Sequence, residues 1–88
     1  MLWDDVSFVL GSPLAKKILI VINESKEPIA PVQISKLTKI QRTNVSKKLI
    51  PLVEKKLVIC VNPESRKWRF YEITPKGREV LEKLNRMQ

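Results

Sequence analysis

Apolar positions recur at helical spacing up to about Lys56, run as strand-like segments from Leu57 to Ile73, and return to helical spacing after Pro75. The clearest helix spans about Gln41 to Lys56. Val45, Leu49, Leu52 and Val53 stand there at i, i+4, i+7 and i+8 and form one face. At about 100° per residue, Thr43, Lys47 and Glu54 point directly away from it. Asn44, Ser46, Ile50 and Pro51 flank that outer line. The first two outer turns thus carry short hydrogen-bonding side chains and a cation.

The remaining elements follow from local signals. Leu2 to Leu10 reads as a short amphipathic helix, with Asp4 and Asp5 favourable in its first turn and Gly11 at its end. Ser12 caps the next helix with Pro13 at its first position. That helix runs to about Asn23, with Leu14, Ile18, Val21 and Ile22 inward and Lys16 and Lys17 outward. The β-branched run Ile20 to Ile22 would also suit a strand, but the cap and the continuity with Ala15 and Leu19 favour helix. After the polar loop Glu24 to Glu27, Pro28 to Ala30 is short enough for a minimal edge strand. Pro31 opens a helix to about Thr38 that buries Ile34 and Leu37, with Ser35 small enough for close helix approach. Thr38 to Gln41 is a turn with Ile40 as its apolar plug. Pro51 cannot donate to the Lys47 carbonyl, which predicts a bend or a loosened turn.

Leu57 to Asn62 and Trp68 to Ile73 form a hairpin around the charged loop Pro63 to Lys67. Pairing Asn62 with Trp68 sets Leu57, Ile59, Val61, Arg69, Tyr71 and Ile73 on a core face. Val58, Cys60, Asn62, Trp68, Phe70 and Glu72 then share the other face, which is also largely apolar and needs a cover. Thr74 and Pro75 repeat the cap-plus-proline signal and open a last helix to about Arg86, lined inward by Val80, Leu81 and Leu84.

Composition narrows the chemistry. At 88 residues the chain is a single domain with a modest core. No apolar run approaches the roughly 20 residues of a membrane span. Asp4 and Asp5 stand where a secretory signal carries basic residues, so no such signal is expected. One cysteine and no histidine exclude an internal disulfide and the usual zinc sites, and Cys60 reads as a small buried hydrophobe. A reduced cytoplasm is the simplest setting. With only Gly11 and Gly77 there is no glycine-rich phosphate loop, and no nucleophile with its base is evident, so an enzyme and a cofactor are not expected. Room for a small-molecule effector pocket is scant.

The net charge of +8 favours a polyanionic partner, and its placement is informative. From Pro31 to Lys56, seven basic side chains (Lys36, Lys39, Arg42, Lys47, Lys48, Lys55 and Lys56) oppose Glu54 alone. From Pro63 to Arg69, three (Arg66, Lys67 and Arg69) oppose Glu64. These two stretches hold all eight units, and the rest of the chain balances to zero. Solubilising lysines spread evenly would not concentrate this way.

Two stretches, IQRTNVSKKLIPLVEKKLV and NPESRKWRFYEITPKGREVLEKL, resemble the winged helix-turn-helix domain of MarR-like and ArsR-like prokaryotic transcription regulators. The first resembles a recognition helix leading into the first wing strand. The second resembles the wing tip, the returning strand with its Tyr, and a Thr-Pro-Lys-Gly helix opening. The resemblance covers roughly Pro13 to Leu84. It implies an α+β winged helix-turn-helix with a three-helix core, a two- to three-stranded wing and a C-terminal helix, preceded by an extension over residues 1–12. Lys39 and Lys56 stand where that pattern usually has glycine, and Ile50 and Pro51 where it has polar residues. The Lys56 departure predicts a helix end without a left-handed cap.

The resemblance implies sequence-specific binding of double-stranded DNA by a transcriptional regulator at the nucleoid. Arg42, Thr43, Asn44, Ser46 and Lys47 would read groove edges. Gln33, Lys36, Lys39 and Lys48 would meet phosphates, and Arg66, Lys67 and Arg69 would serve the wing. Winged helices also act as protein-interaction modules, which is the alternative of a different class. Related regulators commonly pair to read two half-sites, so a homodimer is expected, with Trp3, Val6, Trp68 and Phe70 as interface candidates. In the monomeric alternative the Trp3 segment folds over the hairpin as a lid.

Overall fold

A computed structural model describes residues 2–87. The elements in order are α1 (Leu2–Leu10), α2 (Pro13–Glu24), α3 (Pro31–Thr38), α4 (Arg42–Glu54), β1 (Val58–Cys60), β2 (Tyr71–Ile73) and α5 (Pro75–Arg86). The fold is α+β, with five helices and an antiparallel two-stranded hairpin among the described residues. Ile29 adds a single bridge to Tyr71, with N–H to O distances of 2.9 Å in both directions. That is the minimal edge strand expected of Pro28 to Ala30.

The caps form as the side chains dictate. Ser12 Oγ accepts the Ala15 N–H at 3.3 Å, and Thr74 Oγ1 accepts the Gly77 N–H at 3.0 Å. Gln33 Oε1 turns back to accept the Ala30 N–H at 3.0 Å and so closes the start of α3. Lys39 takes the left-handed conformation at φ 62° and reverses the chain. Ser35 Oγ donates to the Ile40 carbonyl, and Thr38 Oγ1 accepts the Ile40 N–H at 3.2 Å, which fixes the buried plug beside α3. With Ile34 and Ile40 filling that space, Leu37 lies 67% exposed rather than buried as expected.

The end of α4 corrects two expectations together. The helix runs through Pro51, whose carbonyl accepts the Lys55 N–H at 2.9 Å. Lys56 then adopts φ 63°; its N–H donates to the Val53 carbonyl and the Leu57 N–H to the Leu52 carbonyl, both at 2.9 Å. This is the two-bond left-handed cap normally built on glycine, and here a lysine adopts it. Leu57 therefore belongs to the helix cap, where it joins Leu52 in the core. The strand starts one residue later than expected, and the register is Val58 with Ile73, Ile59 with Glu72 and Cys60 with Tyr71. A shift of one residue exchanges the faces. Val58 is inward at 1% exposure, while Ile59 and Val61, expected in the core, are exposed.

The N-terminal helix is a further correction. Val6, expected at a subunit interface, and its neighbour Val9 are fully buried in the chain's own core, because α1 packs on α2 and α5. Val6 is thus not an accessible interface residue. Asp5, 5% exposed, pairs with Lys76 Nζ at 2.9 Å, and the same ammonium donates to the Lys55 carbonyl at 3.0 Å. Lys55 Nζ in turn sits 5.1 Å from the Phe8 ring centroid. These contacts tie α1 to the end of α4, and they leave the outer hairpin face at Ile59 and Val61 uncovered.

Candidate nucleic-acid interface

Packing of α4 decides what its outer face presents. Val45, Leu49 and Leu52 are buried against the other helices, so Arg42, Thr43, Ser46 and Lys47 are exposed. Asn44 and Lys48 are half-buried at the edge of that face. Val53, expected on the apolar face, lies at its exposed margin. Gln41 makes no side-chain bond to the first turn, so the positive end of the helix dipole is not neutralised by a cap of its own. On α3 and its turn, Gln33, Lys36 and Lys39 are exposed. The Gln33 carbonyl oxygen is occupied as the cap of α3, which leaves its amide N–H groups for other partners.

The wing is built by residues that motif reading passed over. Asn62 Nδ2 donates to the Trp68 carbonyl at 2.6 Å, and Asn62 Oδ1 accepts the Phe70 N–H at 2.8 Å. One side chain thereby replaces ladder bonds where the strands stop pairing. Ser65 holds the tip: its Oγ accepts the Trp68 N–H at 3.3 Å, and its carbonyl accepts Arg69 Nε at 2.7 Å. Arg69 is therefore anchored to the wing loop, while Arg66 and Lys67 stand free of it and exposed. Asn62 before Pro63 is a turn-initiating pair, which is the local signal that could have marked it.

Helix and wing face each other across an open groove of about 830 Å³. Arg42 and Ser46 line it from α4, and Arg66, Lys67 and Arg69 from the wing. Five of the residues expected to contact DNA, and the interface candidate Trp68, are thus drawn to one cleft. Ile50, Val53 and Trp68 add apolar wall, with Pro31 and Val32 at the start of α3. Sequence reasoning left little room for a cavity; the hairpin reaches away from the helical core and supplies a second wall. The two ion pairs seen among the described residues, Asp5–Lys76 and Glu82–Arg86, lie on α1 and α5 and use none of the cations facing the groove. Trp3 lies elsewhere, exposed on α1 with Lys83 Nζ 5.4 Å from its ring centroid.

A three-helix core with a helix-turn-helix and a hairpin wing is also found in solved structures. The transcriptional regulator Tm0710 from Thermotoga maritima superposes with a TM-score of 0.71 at 28% identity, over 85% of this chain and 53% of that one. Staphylococcus aureus MarR, solved with salicylate and kanamycin, gives 0.69 at 24% identity over 96% of this chain and 63% of that one. The fold is a MarR-like winged helix. RV1404 from Mycobacterium tuberculosis gives 0.73 at 19% identity, over 92% and 57%. This chain spans between half and two thirds of the length of each of these structures. No family model matches it, and no curated protein does. Among the described residues, no helix is long and apolar enough to cross a membrane.

Proposed function

We propose that this chain is a sequence-specific double-stranded DNA-binding transcriptional regulator acting in the cytoplasm. The observation that carries the reading is the groove, which Arg42 and Ser46 of α4 line together with the wing cations Arg66, Lys67 and Arg69. In this reading α4 enters the major groove, with Arg42, Thr43, Asn44, Ser46 and Lys47 toward base edges. Lys36, Lys39, Lys48 and the Gln33 amide meet phosphates, and Arg66 and Lys67 reach the flanking backbone or minor groove. The likeness to a transcriptional regulator at 28% identity supports the same reading. The test is a pair of charge deletions. Lys36→Ala or Lys48→Ala is expected to weaken specific and random duplex binding about equally and to reduce the salt slope by about one unit. A slope unchanged in both variants would remove α3 and the edge of α4 from the interface.

We further propose a homodimer. Trp3, Leu10 and Met87 are exposed apolar side chains on or next to the terminal helices α1 and α5, and a second copy would cover them. Each fully covered large side chain contributes about 1.5–3 kcal/mol. Sedimentation equilibrium at micromolar concentration is expected to return a dimer mass that falls in Trp3→Ala. A monomer mass for both proteins would refute pairing.

A further inference from the structure

We propose that Trp68 is a nucleic-acid contact residue. Its indole packs against the sugar–phosphate strand that passes between α4 in the major groove and the wing tip. The inference rests on the DNA-binding reading above and extends it to an uncharged contact.

An indole left 64% exposed forgoes the large apolar burial that usually fixes a tryptophan in a core. Its place is nevertheless set. The Trp68 N–H is held by Ser65 Oγ at 3.3 Å and its carbonyl by Asn62 Nδ2 at 2.6 Å. Asn62 is anchored in turn by the Phe70 N–H at 2.8 Å. The backbone is thus clamped on both sides of the ring, so the side chain is presented from a rigid base rather than from a loose loop.

The surroundings select the occupant. Trp68 lines the groove together with Arg42 of α4 and Arg66, Lys67 and Arg69 of the wing, against Glu54 as the one acidic side chain in the lining. Ile50, 62% exposed, lines the same groove from α4. An inorganic anion would use the guanidinium groups and leave the indole and Ile50 wet. A neutral apolar ligand would use the indole and leave the guanidinium groups unmatched. A nucleic-acid strand alternates charged phosphates with apolar sugar faces and satisfies both sets at once. The same account gives Ile50 a use, although polar residues are usual at its position in the domain this chain resembles.

The experiment is fluorescence anisotropy of the full chain on a labelled random-sequence duplex at two salt concentrations. Trp68→Ala is expected to weaken binding about tenfold. The slope of log affinity against log salt stays unchanged, because no charge is removed. Trp68→Phe is expected to restore most of the loss. In a Trp3→Phe background, the remaining indole emission is expected to change over the same duplex concentrations as the anisotropy. A Trp68→Ala affinity within about twofold of the parent, or an emission that ignores the duplex, overturns the proposal while leaving the DNA-binding reading intact. A loss confined to single-stranded DNA of equal length also overturns it, and so does a change in sedimentation mass alone. A parent chain that binds no duplex overturns both readings.

Discussion

Gly77→Ala is expected to destabilise the fold by about 2 kcal/mol or more, although it places a better helix former inside α5. A Cβ at this position would stand 2.2 Å from the Leu57 carbonyl oxygen and 2.7 Å from Ile73 Cγ1. Neither neighbour is free to yield. The Leu57 carbonyl accepts the Thr74 N–H at 3.1 Å, and Thr74 Oγ1 lies 3.1 Å from the same oxygen. Moving it therefore disturbs the cap of α5. Ile73 is buried in the hairpin. The gain in helix propensity is about 1 kcal/mol, smaller than the cost of forcing a methyl group into backbone. Gly77 has no positive φ, so the requirement is space and not conformational freedom. A domain of this size is stable by roughly 4–13 kcal/mol, so the loss is a large share of the total. Urea unfolding measures it as a lowered midpoint at constant slope. An unchanged or raised midpoint would mean that α5 does not approach Leu57 this closely.

The second large effect concerns readout. Arg42→Ala and Asn44→Ala are each expected to weaken binding to the preferred duplex by about 1–3 kcal/mol, that is, roughly 5- to 150-fold. Arg42 is an exposed cation in the first turn of α4 and lines the groove, so its removal should also lower affinity for random duplex. Asn44 is neutral, and its loss should fall on the preferred site alone. Selecting bound sites from a random duplex library supplies that site, and competition between selected and random duplexes reads the ratio. Equal losses on both duplexes for Asn44→Ala would show that it reads no base. Because Asn44 is half-buried, an unchanged unfolding midpoint is the control that keeps a folding defect out of the result.

The parts of the fold legible in the sequence were those set by neighbours in the chain. Ser12 with Pro13 and Thr74 with Pro75 are short-range capping devices, and both helices begin there. Ile40 as a plug and Ile29 as a minimal strand were likewise local readings. The failures share a different origin. Lys56 adopts left-handed backbone, which costs a non-glycine residue roughly 1–2 kcal/mol, so a lysine in place of the usual glycine was read as a helix end without that cap. Missing the Lys56 cap counted Leu57 into the strand and turned the first strand over by one residue, while Tyr71 and Ile73 of the second keep the inward face expected of them. The N-terminal helix could be found but not docked: the burial of Val6, and of Asp5 against Lys76, depends on α5, about seventy positions away. At the candidate site the concentration of charge was legible because it is additive. The groove was not, because α3, α4 and the wing each supply a wall. Trp68, an interface candidate in the sequence, is exposed on the wing, with its backbone held by Asn62 and Ser65.

Titration of the chain with random-sequence duplex DNA at two salt concentrations tests the central claim most directly. Lys36, Lys39, Lys47, Lys48, Arg42, Arg66 and Lys67 would displace condensed counterions, so affinity is predicted to fall steeply as salt rises. Binding that is absent at low salt, or flat between the two conditions, would contradict the account and favour a winged helix that docks on another protein.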